Sequence, residues 1–139
     1  MFRKILNAND GSENAFKALS AAIAFAKADR AELHMIVVEE LTVVPEWIEE
    51  VREEKIAADR RFKNLVKRAK TEAREADVEL KAHVFAGHPV RTIIDFVRDN
   101  GFDLLVIGAT GHSNLYETMV GSRAERLVHL SPCPVMVVK

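Results

Sequence analysis

Gly108, Gly111 and Gly121 fall within one short stretch of the chain, and Ser122 follows the last of them. The stretch opens as Gly108-Ala109-Thr110-Gly111-His112-Ser113, directly after an apolar run, and closes at Gly121-Ser122, where helical periodicity resumes. Glycine admits positive φ and lets a ligand come close to the backbone. A helix amino terminus offers N–H groups with no intrahelical partner and a partial positive charge. Successive N–H groups in a turn form a nest for an anion, and the Ser122 hydroxyl adds a donor. These parts make a phosphate cradle that needs no lysine. A lone glycine would serve a turn, but this cluster between a strand and a helix points to phosphate. The Gly-x-x-x-x-Gly-Lys-Ser/Thr and Gly-x-Gly-x-x-Gly patterns are both absent, which excludes a P-loop and an ordinary dinucleotide fingerprint.

Other reactive residue types carry less. The histidines are His34, His83, His88, His112 and His129, and none has the paired spacing of a metal site. His34 and His83 read as strand side chains. His112 lies inside the glycine loop, where it faces either a phosphate or solvent. Cys133 is the single cysteine, so no intrachain disulfide forms, and its place before Pro134 and an apolar run suggests packing. No nucleophile–base pairing is apparent, and Ser12, Ser113 and Ser122 read as caps or phosphate donors. Trp47 reads as a packing or interface anchor.

The elements that position these residues follow from periodicity. Strand-length apolar runs occur at Ile5 to Ala8, Leu33 to Val38, Val78 to Ala86, Leu104 to Ile107 and Val135 to Val138. A first helix begins near the N-cap Ser12 and turns Phe16, Leu19, Ile23 and Ala26 to one face. A second starts near Pro45 and shows Phe62, Leu65, Val66, Ala69 and Ala73 at helical spacing, with residues 40–57 readable as helix or loop. Its charged outer face reads as solvated. A third opens at Pro89, presents Val90, Ile93, Ile94 and Val97, and ends at Gly101. A fourth runs from about Gly121 to Leu130 with Ala124, Leu127 and Val128 inward, stopped by Ser131-Pro132.

Strands alternating with helices predict a parallel sheet. All the strand runs are nearly continuous in apolar residues except the third, whose alternation of Leu80, Ala82, Val84 and Ala86 with Lys81, His83 and Phe85 predicts an edge. A doubly wound sheet binds its ligand outside the carboxyl ends of the strands, where strand order reverses. The 139 residues suit one domain, 1–139, able to bury a core without disulfides or metal. A net charge of −1 gives no bulk attraction to nucleic acid or anionic membrane. No signal-peptide pattern or membrane-length apolar run is seen, so the cytoplasm is the expected location.

Gly108, two residues, Gly111, nine residues, then Gly121-Ser122 resembles the motif of the ATP-binding universal stress proteins. Asp10-Gly11-Ser12, Gly87-His88-Pro89 and the closing Cys133-Pro134-Val135-Met136-Val137-Val138 match that family in order. The resemblance implies a five-stranded parallel sheet in order 3-2-1-4-5 with helices on both faces. It implies that Ala8 and Asp10 contact adenine or ribose and that the Val37 backbone meets adenine. Gly108 would let the nucleotide lie against the loop, and Gly111, His112, Ser113, Asn114, Gly121, Ser122 and Arg123 would surround the phosphates. One departure stands out: Asn7-Ala8-Asn9 precedes Asp10, where the family is usually apolar. Asn7 and Asn9 are either satisfied by neighbouring backbone or adjust base and ribose recognition.

The expected function is an ATP-binding stress or signalling module, with Mg²⁺ or Mn²⁺ accompanying the nucleotide and partners reading its state. Slow hydrolysis is compatible with this reading. The alternatives are an ATP-hydrolysing or adenylating enzyme of related architecture, or a nucleotide-free dimeric scaffold. The final strand is short, apolar and at a sheet edge in the implied order, which predicts a homodimer formed along it.

Overall fold

The computed structural model describes residues 1–40, 49–110 and 120–139, with 49–59 described as helix backbone. The chain runs β1 (Lys4–Ala8), α1 (Glu13–Asp29), β2 (Glu32–Glu40), α2 (Glu49–Glu75), β3 (Leu80–Gly87), α3 (Pro89–Asn100), β4 (Leu104–Gly108), α4 (Ser122–Leu130) and β5 (Val135–Val138). The strands form one parallel sheet in the order β3-β2-β1-β4-β5. β3 is an edge, as its alternation predicts. Pro45 and Trp47 lie outside the described residues.

Side-chain alternation divides the core into two layers. Ile5, Leu33, Met35, Val37, Leu104 and Val106 face one way and pack on Phe16, Leu19 and Ile23 of α1 and Phe62, Leu65, Ala69 and Ala73 of α2. Leu6, Ile36, Leu105 and Ile107 face the other way, onto Val90, Ile93 and Val97 of α3 and Ala124 and Leu127 of α4. Both faces of the central strands are therefore dry, which is why these strands tolerate few polar residues. Val128 departs from the expectation. It is 47% exposed, because only Ala124 and Leu127 of this short helix are buried against the sheet.

Helix ends are fixed by local chemistry. The Ser12 side chain accepts from the Ala15 N–H and caps α1. Pro89 occupies the first turn of α3, where a missing N–H costs nothing. Gly101 ends α3 with φ 66°, a left-handed conformation that suits glycine. The start of β1 is pinned by Asp103, whose carboxylate accepts from the Arg3 and Lys4 N–H groups at 2.8 and 3.0 Å.

Candidate functional site

The β1–α1 turn is built by the asparagines and aspartate that interrupt the apolar strand. Asn7 is fully buried, and its side-chain amide donates to the Val106 carbonyl of β4 at 3.1 Å. The Asn9 amide donates to Asn7 Oδ1 at 3.3 Å, and Asn9 Oδ1 accepts from the Gly11 N–H at 2.8 Å. Asp10 Oδ1 accepts from the Ser12 N–H at 3.0 Å. Side-chain bonds two residues forward are the usual way Asn and Asp fold a turn. The buried pair is thus satisfied by neighbours. It ties the strand end to β4 and sets the entry of α1.

On the other side of the same gap, β4 ends at Gly108. A Cβ there would lie 2.8 Å from the carbonyl carbon of Asn14 and 2.9 Å from its oxygen. The first turn of α1 therefore rests against this glycine, and Gly108 does not adopt positive φ. Asn14 and Thr110 are joined by a side-chain hydrogen bond across the seam. The chain returns at Gly121, whose N–H donates to the Ala109 carbonyl at 2.7 Å. Gly121 caps α4 with φ −66° and ψ 157°, and as a glycine it makes no side-chain capping bond to that helix. Left-handed freedom is thus not what these two glycines supply; at Gly108 it is close approach to the α1 backbone.

Between these parts, outside the carboxyl ends of β1 and β4, lies a cavity of about 430 Å³. Small-molecule sites typically span roughly 300–1,000 Å³. Its position is the switch point of the sheet. Ile36, Val38, Ile93 and Ile107 give it an apolar wall, while Asn9, Asp10, Thr110 and Ser122 give it polar groups. The first turns of three helices border it: Ser12 and Ala15 of α1, Pro89 of α3, and Ser122 to Ala124 of α4. Their partial positive charges converge on one space. Arg123 reaches Glu40 at 3.6 Å, and both residues line the cavity.

Of the residues expected from sequence, Ala8, Asp10, Gly108, Gly121, Ser122 and Arg123 line this cavity. Gly111, His112, Ser113 and Asn114 lie outside the described residues. The Val37 side chain is fully buried toward α1 and α2, and its neighbours Ile36 and Val38 form the wall; the resemblance placed only the Val37 backbone at the adenine. Alternation and register carry that signal: Ala8 pairs with Ile36, and Ile36 and Val38 share a face. Glu40, Thr110, Pro89 and Ile93 are further lining residues that motif reading missed. They come from β2, α3 and the segment after β4, and only the closed topology brings them together.

Three other residues with chemical potential lie elsewhere. His34 Nδ1 and His83 Nε2 are 2.9 Å apart with the rings stacked, and Phe102 and Phe96 pack around them. Burial holds both imidazoles below their ordinary value of 6.5. Burial also raises the Cys133 thiol, despite hydrogen bonding from Ser131, so thiolate chemistry is disfavoured. Among the described residues, no group of three or more His, Cys, Asp or Glu side chains is placed to hold a metal ion. No helix among them is long and apolar enough to cross a membrane.

The universal stress protein family model matches residues 1–139. The universal stress protein YxiE of Bacillus subtilis is 34% identical, with 100% of each chain covered. Universal stress protein MJ0577 of Methanocaldococcus jannaschii is 31% identical over 100% of this chain and 96% of its own. Its solved structure superposes with a TM-score of 0.86, again over 100% and 96%. A universal stress protein solved in complex with cAMP shares the fold, with a TM-score of 0.76 at 21% identity over 99% of this chain and 97% of that one. Sequence and fold agree, and the chain belongs to the universal stress protein family.

Proposed function

We propose that this chain is an ATP-binding module whose nucleotide state is read by protein partners in a cytoplasmic stress or signalling response. The observation that carries the reading is the convergence of three helix amino termini on one cavity at the switch point, with a glycine as the N-cap of α4 and no side-chain cap there among the described residues. Uncapped N–H groups beside a hydroxyl suit a phosphate. The wall of Ile36, Val38, Ile93 and Ile107 suits a flat apolar base. A phosphate entering the cavity competes with Glu40 for Arg123, so the ion pair opens as ligand binds. The family's cAMP-bound member is consistent with an adenine ligand.

A divalent cation fits this reading as a passenger on the phosphates. Asp10 and Glu40 are the carboxylates among the described lining residues, too few for an all-protein cage. Mg²⁺ commonly keeps several waters and binds through one or two carboxylates plus phosphates. Gly111, His112, Ser113 and Asn114 are proposed to complete the phosphate side. Turnover is expected below about one per minute, well under ordinary enzyme rates. Self-association is proposed along β5, the sheet edge opposite β3, whose four residues Val135–Val138 are all half-buried and carry no charge.

The test is to denature the freshly purified protein and identify released nucleotide by mass spectrometry. The reading expects ATP, or ADP from slow hydrolysis. Release of no adenine nucleotide, together with failure to rebind added ATP, would overturn it.

A further inference from the structure

A second concavity, of about 620 Å³, lies on the α1–α2 side of the sheet, where α2 passes over the open edge of β3. Lys63, Lys67, Lys70 and Arg74 line it at spacings of four, three and four residues, which sets them in one row along the helix. All four are exposed, and none forms an ion pair among the described residues. Two neighbouring charges off this row are engaged. Arg68 pairs with Glu13 at 3.3 Å and stacks on Phe16, and Glu72 accepts from Ser20 at 2.7 Å. The unpaired row is thus a local feature of a chain whose net charge is −1.

The floor beneath the row is apolar: Phe62, Val66 and Val84, the last 50% exposed. Among the described residues β3 pairs only with β2, so its outer side presents backbone N–H and C=O groups that none of them pairs. On the other face of the same strand, Phe85 is 39% exposed beside Phe96. Cations on one face, an aromatic ring on the other and an open hydrogen-bonding edge between them define a partner by chemistry.

We propose that β3 and the α2 row dock an extended acidic segment of a partner protein by strand addition. An added strand alternates its side chains across the sheet. Acidic residues at every second position reach the Lys63–Arg74 row, and apolar residues at the intervening positions cover Phe85. A second copy of this chain does not fit, because a two-fold contact would set the cationic row against itself. An anionic lipid surface offers charge but no backbone groups to complete the edge of β3.

The probe is a short fluorescent peptide alternating Glu and Val, titrated with the full chain and read by anisotropy. Saturable binding is expected, weakening about tenfold when Lys67→Glu and Lys70→Glu are combined, and falling as salt rises. Both positions are exposed on a helix, and a thermal melt checks that the variant folds. N-methylation supplies the sharper arm and needs no protein variant. Methylating alternate amides in the register that faces β3 should abolish binding, while methylating the other register should leave it. Equal tolerance of both registers would overturn strand addition. So would an equally strong Lys-Val peptide, preference for phosphatidylglycerol vesicles over the peptide, or no saturation at millimolar concentration.

Discussion

The two concavities of this protein are built from different materials. The switch-point cavity is lined largely by backbone and short side chains: helix first turns, the Asn9 and Asp10 turn, Gly108 and Gly121. The α2–β3 groove is lined by long side chains over an apolar floor. Backbone donors are fixed by the fold and present before any ligand arrives, so they suit a small anion of defined geometry. Lysine side chains lose rotamer freedom on binding and are screened by salt, so they suit an extended and variable partner. One domain thereby carries a preorganised concavity and an adaptable one, with no lining residue in common among those described.

Breaking the first site tests the comparison most severely. Gly121 has φ −66°, which valine tolerates, so Gly121→Val changes the space in the cavity rather than the backbone. ATP affinity should fall about hundredfold, roughly 2.8 kcal/mol, with a thermal midpoint within about 3 °C of the parent. Calorimetry and a melt on the same sample check it, and unchanged affinity would remove Gly121 from the site.

Gly108→Ala separates two reasons for a glycine. The added Cβ would meet the Asn14 backbone at 2.8 Å, so α1 must shift. A stability loss of about 2 kcal/mol in urea is expected. A neutral result would mean that α1 yields and that ligand approach is the position's main demand.

Acid should act on the β3 side of the molecule. His34 and His83 are held below 6.5 by burial, so the unfolded chain takes up protons first as pH falls. Stability is fully present above that value and is lost progressively below it. Lys4 and Lys81 reinforce the shift at His83, while Glu32 opposes it at His34. Thermal melts from pH 7.5 to 5 should show the decline, and His83→Leu should flatten it.

The smallest effect belongs to Arg123→Ala. The Arg123–Glu40 pair is 3.6 Å long and about half exposed, so its loss should leave stability within about 0.5 kcal/mol. ATP affinity should fall about threefold, more at low salt. A hundredfold loss would make Arg123 a principal phosphate ligand.

Much of this architecture could be read from periodicity. The β3 edge, the Ser12 cap and the Gly101 terminus follow from local signals that tertiary packing reinforced, while the strand order came from the family resemblance and not from periodicity. The cavity lining was legible where the family motif and the geometry coincide, at Asp10, Gly108 and Gly121-Ser122. It was illegible where lining depends on which face of a strand turns inward. Ile36 and Val38 form the wall without being marked by any motif, because register decides which face of the strand turns to the cavity. Val128 was misplaced because helical spacing gives a face but not how far the helix lies over the sheet. The Asn7–Val106 bond was also hidden, since it joins strands that are distant in sequence.

The most direct measurement is calorimetric titration of nucleotide-free protein with ATP, with and without Mg²⁺. The account predicts a dissociation constant in the micromolar range or tighter, roughly −8 kcal/mol, strengthened by the cation. It also predicts that this affinity survives Lys67→Glu with Lys70→Glu, because the two concavities share no lining residue among those described. Absence of binding up to millimolar ATP in a folded, nucleotide-free sample would contradict the assignment of the switch-point cavity.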